Sequence, residues 1–522
     1  MRSHTGALTL VSLAATLSGQ PASAYDVNVG VDLWHEATSS FDVGPENDAI
    51  YDPGALGSAR LRAGFETRLG GPKLRLIGEA DFFAHRLYGE PTELGTYAVD
   101  PRLRRAEVFH PFPILPRKLY VEWAPFFGVI RAGQQASHWG LGLVANGGER
   151  SDKLFGESYR GSLSERVLFA TSPFQALGAL PDSVLGRFTL LAAADLVLAD
   201  ETALLLDTGL RKEDVARQLV FSTLLRPRTF KAPATAPRSA LNGGVYAVRR
   251  SVDATLGDEL DVWVVDGHVR FLTEWERFNS IRWELEVAIV DGETDRFVTE
   301  QGRDGVKVRS MGFAAEIDWR FAADGLPITL GLRAGAATGD GDPDDDEVGR
   351  FTFNGDYDVG QILFDQIVPA LQRRSTERVD NPLRSKSPPQ GYEHFAGRGG
   401  VSGASYAALR TVVEPTDALD VGVEVMTAST TVPFTDPYST FAQGGGPRNA
   451  FGGRGEGRLG MEVAAAARYA LTMRDPELVP ALRLTYSAFF PGAALEGPDG
   501  GLGTVHFGQV KLSIDSHLLG GG

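Results

Sequence analysis

Charged side chains recur in this chain at every second position over stretches of about ten residues. From Ala59 to Leu69 one alternate set carries Arg60, Arg62, Glu66 and Arg68, and from Lys73 to Ala84 it carries Lys73, Arg75, Glu79 and Asp81. Arg282, Glu284 and Glu286 form a third row, Glu316, Asp318 and Arg320 a fourth, and Arg483 joins them from near the C-terminal end. Rows that mix both signs of long charge can act in two ways. Facing water across a gap, they set a transverse field that selects solutes by charge. Facing one another, they pair and stiffen a closed wall.

The acidic run Asp340, Asp342, Asp344, Asp345, Asp346 and Glu347 offers hard oxygens at close spacing, which suits calcium. It is no EF-hand, because position 12 of such a loop falls on Phe351 and Pro343 stiffens its middle. A solvated acidic loop is the preferred expectation, and calcium held by Asp340, Asp342 and Asp344 is the alternative. The local signatures of hydrolases and nucleotide binders are missing: there is no Gly-x-Ser-x-Gly, no His-Glu-x-x-His and no phosphate-binding Gly-x-x-x-x-Gly-Lys. His85, His110, His138 and His268 are assigned to rims and loops. No catalytic residue and no cofactor is expected.

The elements that must position the charged rows are strands, since alternation of period two is the mark of a pleated backbone. The complementary face of each row is apolar: Leu61, Phe65 and Leu69; Leu74, Leu76 and Phe82; Ile281, Trp283, Leu285, Val287 and Ile289; Phe313, Ile317, Trp319 and Phe321. A soluble sandwich or propeller alternates in the same way. It does not explain why short connections (Gly70 to Pro72, Pro125 to Gly128, Ala323 to Pro327, Glu414 to Asp417, Arg474 to Val479) alternate with long ones (His35 to Gly57, Ala136 to Gly161, Thr338 to Ser402, Thr431 to Gly457). Short turns on one rim and long loops on the other are the pattern of a transmembrane antiparallel β-barrel. The expected fold is all-β, with about 18 strands and 16 as the alternative, provided Arg102 to Ala124 is one strand interrupted by the Pro-rich bulge His110 to Pro116. Trp34, Phe126, Phe127, Trp139, Trp275, Trp319, Phe489 and Phe490 are candidates for interfacial girdles. A lumen of that strand number is too wide for wall side chains to fill, so any blockage falls to loops, foremost Thr338 to Ser402.

Residues 1–24 read as a cleaved signal peptide: Arg2, the apolar run Ala7 to Leu17 and the small-x-small site Ala22-Ser23-Ala24. The remainder, 25–522, shows no domain boundary. Gly at 62 of 522 residues, 43 % hydrophobic content and 23 % charge fit a barrel whose strands are apolar on one side only. A net charge of −16 argues against nucleic acid as a partner. The absence of cysteine is compatible with export.

The segments Val129 to Gln135, His138 to Leu143 and Asn146 to Gly148 resemble poorly characterised outer-membrane barrels of myxobacterial type. Together with Thr338 to Asp344 and Phe351 to Tyr357 they are also distantly similar to alginate-export porins. That resemblance implies a monomeric barrel and a transport-like role. One departure is the ending His517-Leu518-Leu519-Gly520-Gly521-Gly522, where such barrels carry a terminal aromatic. The expected function is therefore an outer-membrane porin for a polar solute, an anion being one candidate, with membrane lipid, lipopolysaccharide and calcium as candidate partners. The alternatives are a non-conducting structural or adhesive barrel and a barrel-embedded hydrolase.

Overall fold

In a computed structural model the chain is described over residues 25–45, 50–69, 73–89, 114–149, 154–157, 161–178, 184–199, 216–225, 238–252, 259–276, 279–295, 305–342, 345–380, 400–443, 446–471 and 478–519. The expected signal segment lies outside them, as does the proposed first half of the strand at Arg102.

Eighteen antiparallel strands close into one barrel. They are β1 Tyr25–Thr38, β2 Gly54–Arg68, β3 Leu74–Tyr88, β4 Ile114–Trp123, β5 Val129–Ala136, β6 Leu163–Thr171, β7 Phe188–Ala199, β8 Arg217–Leu225 and β9 Arg238–Val252, followed by β10 Leu260–Glu276, β11 Asn279–Thr294, β12 Val306–Ala323, β13 Leu326–Ala337, β14 Ala404–Thr416, β15 Leu419–Thr430, β16 Arg458–Ala470, β17 Leu478–Pro491 and β18 Val505–Leu519. Each strand pairs with its sequence neighbours, and β1 pairs with both β2 and β18, from Asp26↔Leu519 to Thr38↔Phe507. Closure leaves no open edge among the described strands, so the ladder pairs wall amides with one another rather than with solvent.

The expected count of 18 stands, with one correction at β4. Ile114, Leu115 and Pro116, expected inside a bulge, already belong to the strand and pair with Phe82, Asp81 and Ala80. The irregularity is a single register shift between Glu79 and Ala80, beside Pro116. Proline has no N–H to give to the ladder, so it sits where the ladder is already broken.

Outward positions are apolar and exposed in a continuous band: Val121, Val167, Leu219, Val245, Val265, Ile289, Phe313, Leu332, Leu409, Val423 and Leu484 among them. The upper margin of the band over β9–β12 is charged, with Arg249 paired to Asp261 and Arg309 to Asp291. Aromatics mark the lower margin: Trp123, Phe126, Phe127, Trp275 and Trp319 are exposed near the short turns. Three expected girdle residues are corrected. Trp34 and Phe489 fall on inward positions of their strands and Trp139 lies in a loop turned into the lumen, and all three are buried. Phe490, one position on from Phe489, is exposed.

The interior is packed in its long-loop half. Phe351, Phe353, Tyr357, Val359, Ile362, Leu363, Phe364 and Ile367, all from the loop between β13 and β14, form one buried cluster with Leu143 and with small wall residues Ala288, Ala314, Ala404, Ala408 and Ala428. A second contact sets Leu154 and Phe155 on Ala464 and Ala466 of β16. Alanine at these inward positions leaves the width that the loop side chains occupy. Helix Val368–Asp380 continues the loop, anchored by Arg374 donating to the Val43 carbonyl at 2.5 Å and by Arg378 over the Tyr438 ring.

Candidate functional site

The inward rows do not stand in open water; they are paired across neighbouring strands. Arg60 meets Asp32 at 2.7 Å, and Arg62 meets Asp81 through two bonds of 2.6 and 2.9 Å. Arg75 reaches Glu66 at 2.6 Å and also Glu122, which Arg131 shares at 2.7 Å. Glu79 is held by Arg117, whose guanidinium also donates to the Gly147 carbonyl at 2.6 Å. Across the barrel, Arg282 binds Glu284, Glu316 at 3.0 Å and Asp318 at 2.5 Å. Arg333 meets Glu316 at 3.0 Å, Arg410 meets Asp318 at 2.7 Å, and Arg320 meets Glu414 at 2.7 Å. Arg68 lies opposite Arg75 in the β2–β3 register.

Of the two arrangements open to such rows, Arg60 takes the paired one. In a water-lined row Arg60 would be solvated and cheap to replace. Instead it is 3 % exposed, paired, and stacked over Trp34 at 5.1 Å. Lys511 approaches the same ring at 4.8 Å, so Trp34 lies against two cations.

Exposure divides the pairs by height. Near the middle of the wall Glu286, Glu316 and Arg483 are buried under the loops. Toward the short-turn rim the pairs open, and around Glu122 and Glu284 the accessible member is the cation. Arg131 is 39 % exposed against 3 % for Glu122, and Arg270 is 43 % exposed against 5 % for Glu284. Arg75 and Arg320 are also part-exposed, with Glu66 and Glu414 as accessible anions beside them. Burying the carboxylate and presenting the guanidinium biases the local potential positive.

Two loops narrow the lumen and lock to each other. The Asn354 amide N–H donates to the Leu143 carbonyl at 2.7 Å, the Glu157 N–H to Asp358 at 2.9 Å, and the Gln361 side chain to the Phe155 carbonyl at 2.9 Å. Glu157 is gripped from the wall by Lys511 at 2.8 Å and by Arg483. Tyr357 donates to Glu316 at 3.1 Å and contacts the Tyr406 hydroxyl at 3.0 Å; burial among acidic and phenolic neighbours pushes the Tyr357 hydroxyl well above its ordinary value.

Several members of this site were missed from sequence: Asp32, Arg117, Glu122, Arg131, Arg270, Arg333, Arg410, Glu462 and Lys511. Extending each strand's parity to its full length finds most of them. Arg117 was hidden because 110–116 read as a bulge.

The histidines are more varied than expected. His268 belongs to the wall, 3.3 Å from Glu284, rather than to a rim or loop. His138 lies in the lumen loop, where its Nδ1 accepts the Gly147 N–H at 3.2 Å and burial pushes its pKa down. The His85 side chain and His110 lie outside the described residues. Among the described residues no histidine ring is hydrogen-bonded to a serine, and none of the groups of acidic and histidine side chains has the makings of a cation site. In the acidic loop, Asp340 accepts the Asp342 N–H at 3.2 Å and Asp345 accepts the Glu347 N–H at 2.9 Å, so both carboxylates cap backbone. Burial, with Asp345 nearby, pushes Asp340 up to about 6, and burial lowers Arg350 to about 10. Asp344 lies outside the described residues.

No family model and no curated protein matches this chain, so the resemblance to myxobacterial barrels and alginate-export porins is without support. Solved structures with a similar backbone include the Pseudomonas aeruginosa outer membrane protein OprD, at 10 % identity over 95 % of this chain and 93 % of that one, with a TM-score of 0.46. OccAB1 of Acinetobacter baumannii is similar at 10 % identity over 95 % and 97 %, with a TM-score of 0.48. OccK11 (OpdR) of Pseudomonas aeruginosa is similar at 10 % identity over 96 % and 99 %, with a TM-score of 0.45. Similarity at this level carries no information about solute or mechanism.

Proposed function

We propose that this protein is an outer-membrane channel for a polar solute, with anions favoured over cations. The observation that carries this is the unequal exposure of the ion pairs in the short-turn half of the lumen. There Arg131 and Arg270 present their guanidinium groups while Glu122 and Glu284 are covered. A wall that only needed stiffening would cover both partners, as it does at Arg333 and Glu316. A row of accessible guanidinium groups offers forked donors to carboxylate or phosphate groups and repels cations. The apolar band outside would face membrane lipid, and the charged upper margin would meet lipopolysaccharide headgroups.

The packed cluster in the long-loop half favours a second assignment, a non-conducting structural or adhesive barrel. Planar-bilayer recording of the refolded protein separates the two. Stepwise openings with a reversal potential of the anion-selective sign under a salt gradient support the channel, and silence at all voltages supports the alternative.

A further inference from the structure

Both lumen loops meet the wall through the same local device. On the first loop, Gly140 and Gly142 have positive φ of 56° and 91°. The N–H groups of Leu141, Gly142 and Leu143 all point at the Glu286 carboxylate, the last two at 3.0 and 3.1 Å. On the second loop, Gly360 has φ of 73°, and the N–H groups of Gln361, Ile362 and Leu363 converge on Glu462 at 2.5, 3.1 and 3.1 Å. Successive N–H groups following a left-handed residue form an anion-binding concavity. In each case a wall carboxylate fills it.

Glycine is needed at the head of each concavity. A Cβ on Gly140 would collide with Glu286 Oε2, and one on Gly360 would come within 2.9 Å of Glu462 Oε2. The two wall residues are far apart on the barrel, on β11 and β16, and the two loops are unrelated in sequence. Each glutamate has its own surroundings: Asp266, which also accepts the Trp139 indole N–H at 2.9 Å, and His268 lie beside Glu286. Glu424 and Met426 lie beside Glu462.

We infer that Glu286 and Glu462 are positioning residues that latch the two loops into the lumen and so set the width of its constriction. This rests on the channel assignment above for its consequence, but not for its structural part. In each latch both side-chain oxygens accept N–H groups, and a carboxamide, which keeps one oxygen and turns an NH2 toward the other donors, replaces them only in part. Loss of either latch leaves the loop held by its bonds to the other loop, its apolar contacts and its remaining wall partners: Arg117, Asp266 and Lys511 for the first, Glu316 and Arg333 for the second.

The chain has no cysteine, so a single introduced one reports loop docking cleanly. Ala145→Cys and Val359→Cys place a thiol at positions buried beside each latch. In detergent-folded barrel, Glu286→Gln is expected to raise maleimide labelling at the first site about tenfold or more, and Glu462→Gln at the second. Gly140→Ala and Gly360→Ala, which crowd the carboxylates from the loop side, should do the same while leaving both glutamates in place. Unchanged labelling in folded barrels overturns the latch. So does failure of the glutamine variants to fold, which would make these residues supports of the wall instead. Single-channel conductance of the same variants is read separately and should rise with labelling. If parent and variants are all silent in bilayers, the channel assignment fails, while labelling still decides the latch.

Discussion

Reversing the charge of Arg60 distinguishes a paired wall from a water-lined one. Its guanidinium is 2.7 Å from Asp32, covered to 3 % exposure, and stacked on Trp34. Removing one partner of a buried pair costs about 3–5 kcal/mol, because the other charge is left in a poor solvent. Asp32 is not wholly abandoned here, since Lys511 at 3.3 Å and Ser513 at 2.7 Å still hold it. Arg60→Met therefore belongs below that range, at about 1–3 kcal/mol. Arg60→Glu adds a second carboxylate against Asp32 and belongs at the top of it, about 5 kcal/mol. Urea unfolding in micelles, followed by tryptophan emission and by heat-modifiable migration on gels, measures both. The exchange Arg60→Glu with Asp32→Arg should recover most of the loss, as a pairing energy does and a steric defect does not. Equal stability of parent and Arg60→Glu would refute the paired wall and return these residues to open water.

Outward Leu61→Arg should cost about 2–4 kcal/mol in the same assay, since it puts a charge on the lipid face at mid-depth; an unchanged midpoint would mean the two faces are reversed. Arg131→Gln with Arg270→Gln should fold normally and move the reversal potential toward cation selectivity, and an unmoved potential would detach selectivity from these guanidinium groups. Asp340 is raised to about 6 in the folded loop from 3.8, so its contribution favours the packed loop below pH 4 and is lost as pH rises through 6; proteolysis of the loop should accordingly be slower at pH 5 than at pH 7.5, and the opposite order would overturn the sign. An epitope inserted at Gly446 should be reached by antibody on intact cells and one at Gly325 should not, which checks the orientation of the two rims.

The strand order and the parity of the faces were legible because a barrel wall must be apolar on one side along its whole height, as at Leu61, Phe65, Ile289 and Phe313. The pairing of the charged rows was not. Alternation shows that Arg282, Glu316 and Asp318 point the same way, but register decides that Arg282 falls beside both acids. The loop core was expected only as a candidate blockage between Thr338 and Ser402. Its signal was present in the wall, where inward rows change from Glu and Arg to alanine toward the long-loop rim, as at Ala288, Ala314, Ala408 and Ala428. Trp34 and Phe489 were misassigned by residue type, although their parity placed them inside. The latches at Gly140 and Gly360 left no sequence trace that separates them from ordinary loop glycines, because their partners lie more than a hundred residues away.

The seam between β1 and β18 joins the two most distant parts of the described chain, Asp26 to Leu519. One residue that touches both sides of it comes from neither: Glu157, in the loop after β5, bonds Lys511 of β18 at 2.8 Å and Arg483 of β17, with the Trp34 indole of β1 at 3.4 Å. Such a rivet fastens the closing seam from inside. Its carboxylate neutralises two cations, Arg483 and Lys511, that lie directly opposite each other in the β17–β18 register. The loop that narrows the lumen therefore also clasps the strands at which the cylinder closes.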